Sequence, residues 1–597
     1  MAAQTISQKS EFRVATARDY DQSSPLRWIT AHLADNKWWL AAFFFGMTVT
    51  NIFNAAIPRQ VGAAFNVVTG EAGSGDPFQA IATLGLFVVG LTVGRFFCDT
   101  LASLSIEVVG KRLERDGRSE LYLNLLGKSQ TFHNQQRVGD IMARAANDVR
   151  FVNEMMTPGF SLFYDSMMAI LIPIIFIAFI DLRLLLAPLI FCFFYYFAVR
   201  HYMRQLDPVS DAVRARFGDM NATLNEAVSG IEVVKAAGQE RQELGKFIRD
   251  ARRYRDRFVQ QGEVQARYIP TLLIGVAIAG AFMHGVYLLN LGELTLGDLI
   301  GYMGLMWVLR WPAFSSYFTF YLIQMGLSGA ERILELLKAE TELDQNSEGY
   351  TAPMQGEIVF ENVTFRHSDG TDDLLRNISF RARPGETIAI VGQTGSGKST
   401  VTKLVNRTYD VTNGRILIDG IDVRDWNLDS LRSQISIIEQ DIFLFSRTVA
   451  ENIAFGLGQQ VSRADVERAA HEAQAHTFIT HFKDGYDTVV GERGVTLSGG
   501  QRQRIAIARA LLTDPRILIL DDATSAVDSA TEDEIQKAIK RVLEGRTTLL
   551  ITHRLSQIRR ADRVLLVRKG EIVAQGTHEE LMASSSLYQR IFARYDI

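Results

Sequence analysis

The apolar positions of this chain fall into long runs confined to its first half. Trp38 to Pro58 carries no charge and is long enough to cross a bilayer as a helix, which takes about 20 residues. Phe78 to Gly94 is a second run. Ser166 to Ile180 and Leu184 to Val199 form a pair around the polar turn Asp181-Leu182-Arg183. Tyr268 to Gly292 is a fifth, and Leu296 to about Met325 a sixth, interrupted by Asp298 and Arg310. A soluble core helix shows a polar face at helical spacing, and most of these runs show none. The pattern predicts six membrane-spanning helices.

The segments between them predict the orientation. Asp99 to Asn153 holds Lys111, Arg112, Arg115, Arg118, Lys128, Arg137, Arg144 and Arg150, and Arg200 to Arg267 is richer still. The opposite loops carry only Arg59 and Arg183. Positive charge stays cytoplasmic, so both termini and both long loops are placed inside. The long loops keep helical periodicity and read as helices continuing out of the membrane. Residues 1–36 lack the apolar region of a secretory signal. Within them Pro25 to Leu33 is amphipathic and fits a helix lying on the inner membrane surface, with Trp28, Trp38 and Trp39 at headgroup level.

Beyond Lys338 the periodicity stops. A polar linker runs to Gly356, and short β runs such as Glu357–Phe360 and Thr387–Val391 then alternate with helices, the pattern of a soluble α/β domain. The chain thus reads as an N-terminal segment (1–36), an all-α six-helix membrane domain (37–337), a linker (338–356) and an α/β ATP-binding domain (357–597). Composition adds exclusions. The 597 residues are 47% hydrophobic and 22% charged with net charge −4, which is not the basic balance of a nucleic-acid binder. Two cysteines, Cys98 and Cys192, exclude a disulfide framework or a thiolate metal cluster. Mean hydropathy is close to zero because two unlike halves average out.

The chemistry lies in the second half. Gly392-Gln393-Thr394-Gly395-Ser396-Gly397-Lys398-Ser399-Thr400 follows the apolar strand Ile388–Val391 and opens a helix, a phosphate-binding P-loop in its required context. Its glycines let backbone N–H groups close around phosphates, Lys398 reaches the β and γ phosphates, and Ser399 ligates Mg²⁺. Arg516 to Asp521 is a buried strand ending in a carboxylate, which fits the second magnesium partner of a P-loop ATPase. Between them lies Leu497-Ser498-Gly499-Gly500-Gln501, a second Gly-rich turn at a helix start.

Leu497 to Gln501, placed between a P-loop and a buried aspartate, resembles the signature of the ATP-binding cassette family. The remaining motifs match in order. Gln440 in Ile438-Glu439-Gln440-Asp441 is similar to the family's Q-loop, where it also meets Mg²⁺. Ser525-Ala526-Val527-Asp528 resembles the D-loop, with Asp528 at its end, and His553 resembles the switch histidine. The membrane half is similar to the six-helix exporter type, through Gly139–Arg144 with Asn147-Asp148 and through Glu226–Lys235, which in the family belong to loops contacting the ATPase domains. The resemblance implies a half-transporter that works as a dimer in a bacterial-type inner membrane. Each ATP is then held by one chain's P-loop and the other chain's signature loop, and closure swings the membrane helices between inward-open and outward-open states.

Two positions depart from the family. Asp522 stands where a glutamate usually serves as general base, which shortens the reach of the carboxylate by one methylene. His367 stands where a tyrosine usually stacks on adenine. Both affect the site built on this chain's P-loop, while the signature loop is intact. The resemblance therefore implies a heterodimer in which this chain carries the weak site, with a homodimer using a slow aspartate base as the alternative. Arg95 and Arg310 are charges at membrane depth, which usually face a cavity or a partner. Arg310, between Trp307 and Trp311, is expected to meet an anionic substrate group or Asp165; Arg95 is expected to pair with Asp99 one turn away. The implied activity is ATP-driven export of hydrophobic or amphipathic compounds. A dedicated lipid, peptide or siderophore cargo, or an ATP-gated channel or regulatory subunit, are the alternatives.

Overall fold

Five helical segments are long and apolar enough to cross a membrane among the residues the computed structural model describes, namely 9–12, 18, 20–71, 76–367, 370–457, 461–491, 494–521 and 529–592. They are Lys37–Val68, Pro77–Leu126, Val138–Ala178, Leu182–Ser229 and Leu272–Asn290. The 50 residues of Pro77–Leu126 run about 75 Å at 1.5 Å per residue, far more than a hydrocarbon core of about 30 Å. The long loops are indeed continued helices, Leu186–Ser229 and Glu240–Ala266 included.

The sixth apolar run is not one helix. It is divided into Leu296–Val308 and Arg310–Lys338. Pro312 explains the break, because it lacks the N–H that would bond the Val308 carbonyl four residues back. The Pro312 carbonyl accepts a hydrogen bond from the Tyr195 hydroxyl at 2.9 Å. Helix Leu296–Val308 is started by a reciprocal cap, with Thr295 Oγ1 accepting from the Asp298 N–H and the Asp298 carboxylate accepting from the Thr295 N–H at 3.1 Å each. It packs against Lys37–Val68 through small residues. The Gly297 N–H donates to Asn66 Oδ1 at 2.8 Å, and a methyl on Gly62 or Gly297 would overlap the other's carbonyl oxygen. Close approach of this kind is how membrane helices gain packing without a hydrophobic driving force.

The amphipathic segment forms the helix Pro25–Ala34, capped by Ser24. Its Trp28 is packed inside the protein rather than exposed. It is 1% exposed, and its Nε1 donates to the Glu120 carboxylate at 2.8 Å, beside His32 at 3.0 Å from the same oxygen. The indole N–H finds a half-buried carboxylate as its partner.

The chain forms two units. One comprises Arg18–Tyr122 and Gly139–Lys338; the other comprises Leu123–Val138, Ala339–Ile597 and the described part of Met1–Ala17. Residues 123–138 therefore pack with the ATP-binding domain, although sequence order assigns them to the membrane domain. Lys128 Nζ donates to the Ala339 carbonyl, and the Ser129 N–H donates to Thr341 Oγ1 at 2.8 Å. Residues 9–12 join the same layer. The Glu11 N–H donates to the Gly127 carbonyl, and the Gln345 N–H to the Ser10 carbonyl, each at 2.8 Å. The Glu11 carboxylate meets Arg432 at 2.7 Å.

The ATP-binding unit has two sheets. An antiparallel sheet has the order β2-β1-β4-β5, with β1 Ile358–Phe365, β2 Leu375–Ala382, β4 Asn413–Ile418 and β5 Ile421–Asp422. A six-stranded sheet has the order β10-β9-β3-β8-β7-β6. Its strands are β3 Thr387–Val391, β6 Ile435–Ile438, β7 Ile517–Asp521, β8 Thr547–Ile551, β9 Arg563–Arg568 and β10 Glu571–Gly576. All its pairings are parallel except β9 with β10. Alternation with period two splits β7 between two cores. Ile517 and Ile519 face the layer shared with the antiparallel sheet, while Leu518 and Leu520 face the helical layer that holds Leu497 and Ile505.

Candidate ATP site and membrane cavity

The register of the parallel sheet brings the motifs together. Ile390 of β3 lies opposite Ile551 of β8, Ile551 lies opposite Asp521 of β7, and Leu520 lies opposite Ile438 of β6. Each of these four neighbouring strands delivers a predicted residue just past or at its carboxyl end: the loop from Gly392, then His553, Asp521 and Gln440. Ligands of open α/β sheets bind in the crevice outside the carboxyl ends of the strands. Gln440 and His553 are exposed there and Asp521 is half-buried.

The P-loop leads into the helix Lys398–Val405. Gly397 has φ of +100°, and a Cβ there would sit 2.6 Å from Leu375 Cδ2, so glycine is required. Gly392 approaches the Val567 carbonyl, and Gly395 is also left-handed. Lys398 is buried, and its Nζ donates to the Gly392 and Gln393 carbonyls at 3.0 Å each. Ser399 and Thr400 occupy the first turn, where the helix dipole favours anions. The Ser396 hydroxyl is buried without a hydrogen-bond partner. A buried polar group that lacks a partner is costly, and a phosphate oxygen in the loop would satisfy it. The residues present therefore fit a nucleoside triphosphate.

His367 lies beyond the end of β1. Its ring meets Phe365 edge-on at 5.0 Å and Tyr409 edge-on at 5.4 Å. Neither Tyr409 nor its donor Asn134, whose Nδ2 is 2.8 Å from the Tyr409 hydroxyl, was among the expected site residues.

The signature loop belongs to the helical layer. Leu497 is buried, Ser498 is exposed, and Gly499 and Gly500 begin the helix Gly499–Thr513. Ser498 Oγ accepts from the Gln501 N–H at 3.3 Å, and Gln501 Oε1 accepts from the Ser498 N–H at 2.9 Å. Gln501 is thus a capping partner of Ser498. The spacing Ser-x-x-Gln is itself the signal for that reciprocal cap. Asp522 and Asp528, with the rest of 522–528, lie outside the described residues.

In the membrane unit Trp307, Arg310 and Trp311 line a cavity of about 630 Å³, together with Arg95, Asp99 and Asp165. That volume lies within the roughly 300–1,000 Å³ usual for small-molecule sites. Two expected ion pairs are absent from it. Asp165 accepts from Trp311 Nε1 at 2.9 Å and from Asn51 Nδ2 at 2.8 Å, while the Arg310 guanidinium lies over the Trp307 ring, 4.9 Å from its centre. Arg95 donates to Asn54 Oδ1 at 2.9 Å in place of pairing with Asp99. Neutral amides and indoles on adjacent helices reach these charges first.

Comparison with known proteins decides the family. A model described as ABC transporter transmembrane region matches residues 40–313, and one described as ABC transporter matches residues 375–525. A probable multidrug resistance ABC transporter of Bacillus subtilis, YheI, is 32% identical over 572 residues, 94% of this chain and 97% of its own. The chain belongs to the ABC exporters. It is a half-transporter of that family, with its ATP-binding domain fused behind the membrane region. An ATP-dependent lipid A-core flippase of Pseudomonas aeruginosa is 35% identical over 505 residues, 85% of this chain and 82% of its own. The solved structure of a bacterial Atm1-family ABC exporter with ATP bound superposes with a TM-score of 0.81 at 29% identity, covering 94% of this chain and 98% of that one. This exporter accordingly binds ATP, couples its hydrolysis to transport and is a multi-pass membrane protein with a cytoplasmic ATP-binding domain.

Proposed function

We propose that this exporter moves hydrophobic or amphipathic compounds out of the cytoplasm as one half of a heterodimer, and that its own P-loop builds the catalytically weaker of two ATP sites. The observation that carries the reading is Asp522, directly after Asp521 at the end of β7. A shortfall of about 1 Å at a reacting group can cost on the order of 10²-fold in rate. Asp522 is the general base of this slow site, with His553 and Gln440 positioning the γ-phosphate and the attacking water. Ser399, Gln440 and Asp521 hold Mg²⁺, which would neutralise phosphate charge. Gly392, Gly395, Gly397, Lys398 and Thr400 hold the phosphates, and His367 packs on the base.

Leu497, Ser498, Gly499, Gly500 and Gln501 serve the partner chain's ATP, and Asp528 lies between the two sites. An intact signature loop beside a weakened base supports the heterodimer: this chain completes a stronger site whose P-loop and glutamate come from a second half-transporter. The cavity at Trp307, Arg310 and Trp311 receives the cargo. Two features support an amphipathic cargo: the cavity mixes charge with aromatic surface, and relatives carry names of lipid and multidrug transporters. Inside-out vesicles test the reading. The chain with its partner should accumulate a fluorescent amphiphile with ATP and not with a non-hydrolysable analogue. Accumulation that ignores ATP hydrolysis would remove it.

A further inference from the structure

The cavity of the membrane unit is lined by four ionisable side chains that form no ion pair with one another. Arg95 and Asp99 come from the helix Pro77–Leu126, Asp165 from Ser161–Ala178 and Arg310 from the start of Arg310–Lys338. No ion pair within 4 Å joins any two of these described residues. Three of them are instead set against neutral groups. Arg95 has the amide oxygen of Asn54, Asp165 has the N–H groups of Asn51 and Trp311, and Arg310 has the face of Trp307. The Asp99 side chain forms no hydrogen bond or ion pair among the described residues.

Ionised groups at membrane depth are expensive and usually face a partner or a pathway. Two cations and two anions lining one cavity could pair with one another, and these do not. The neutral partners hold the charged groups in place without discharging them. Two positive positions, Arg95 and Arg310, and one negative position, Asp99, therefore remain for a guest. Apart from Thr50, the rest of the lining is apolar, with Met47, Ala169, Ile274 and Phe314. At about 630 Å³ the space takes a compact head and the beginning of one chain.

We propose that the cavity selects zwitterionic amphiphiles, with Arg310 and Arg95 receiving the anionic group of the head and Asp99 receiving its cationic group. Asp165 keeps its indole and amide donors and orients Trp311. This inference rests on the export reading and narrows its cargo to heads that carry both signs.

The test is equilibrium binding to the full-length chain in nanodiscs without nucleotide. Three probes of equal tail length are compared: a single-chain phosphocholine, an alkyl phosphate and an alkyltrimethylammonium. Binding to empty nanodiscs is subtracted. The phosphocholine should bind at least tenfold tighter than either singly charged probe. Arg310→Gln should weaken the phosphocholine and the alkyl phosphate about tenfold and spare the cation. Arg310→Lys should restore most of that loss. Asp99→Asn should weaken the phosphocholine and the cation and spare the alkyl phosphate. Equal affinity for the three probes overturns the inference, as does parallel weakening of all three by both substitutions. If ATP-driven accumulation is seen in vesicles while the charge preference is absent, the export reading stands and this one falls. If the preference is found and nothing accumulates, the export reading falls alone.

Discussion

Asn134 donates a hydrogen bond to the Tyr409 hydroxyl at 2.8 Å, and Tyr409 in turn meets the ring of His367, the residue assigned to the nucleotide base. The short helix Gln130–Gln135 is thereby tied to the side of the ATP site through one phenol. Tyr409→Phe keeps the ring and deletes the bond, with a net loss of about 1 kcal/mol. Amide hydrogens of residues 130–135 should exchange faster in that variant by roughly fivefold, with the P-loop unaffected. Unchanged exchange would show that the bond does not hold the helix.

Burial pushes the Lys128 ammonium down to about 8, from an ordinary value of 10.5. A lysine whose folded pKa is lowered binds fewer protons folded than unfolded between those two values, so stability rises with pH through that window. Below pH 8 both states are protonated and the burial penalty is constant. Protection of residues 123–138 should therefore increase from pH 8 toward pH 10.5. Lys128→Met should be more protected than wild type at pH 7 and lose this dependence.

The contact between helices Lys37–Val68 and Leu296–Val308 depends on Gly62 and Gly297. Gly297→Leu should lower the thermal midpoint of the detergent-solubilised chain, since overpacking typically costs about 1–3 kcal/mol and more where backbone must move. Gly85, in the helix Pro77–Leu126, has nothing within 4 Å of a Cβ, and Gly85→Ala should leave the midpoint unchanged or raise it.

Much of this was readable in the chain because it follows from local chemistry. Strand β3 begins and ends where its apolar run does, and the P-loop sits between strand and helix as its glycines demand. Asp521 closes β7, and β7 lies one strand from β3. The misreadings have a common origin, which is that distance along a helix does not reveal what lies across from it. Arg95 and Asp99 have the spacing of a pair, but Asn54 on another helix is the nearer partner. The association of residues 123–138 with the ATP-binding unit is likewise a matter of tertiary packing. Two signals were present and passed over: Pro312, which breaks the sixth run, and the Ser-x-x-Gln cap in the signature loop.

Lys398→Ala removes the P-loop cation proposed to face the nucleotide phosphates, and a hydrogen bond to a charged group contributes about 1.5–3 kcal/mol. ATP binding to the purified chain should weaken by tenfold or more, as read by a fluorescent ATP analogue. An unchanged affinity would place the nucleotide elsewhere.

The central claim is that this exporter's own site is weak because of one carboxylate. The direct measurement is the rate of ATP hydrolysis by the purified full-length chain, reconstituted at two copies per nanodisc so that each P-loop meets a signature loop, set against its Asp522→Glu variant. The account predicts slow turnover by the wild-type chain and an increase on the order of 10²-fold in the variant, from restoring about 1 Å of reach, with ATP affinity little changed. Equal rates in the two proteins would contradict it.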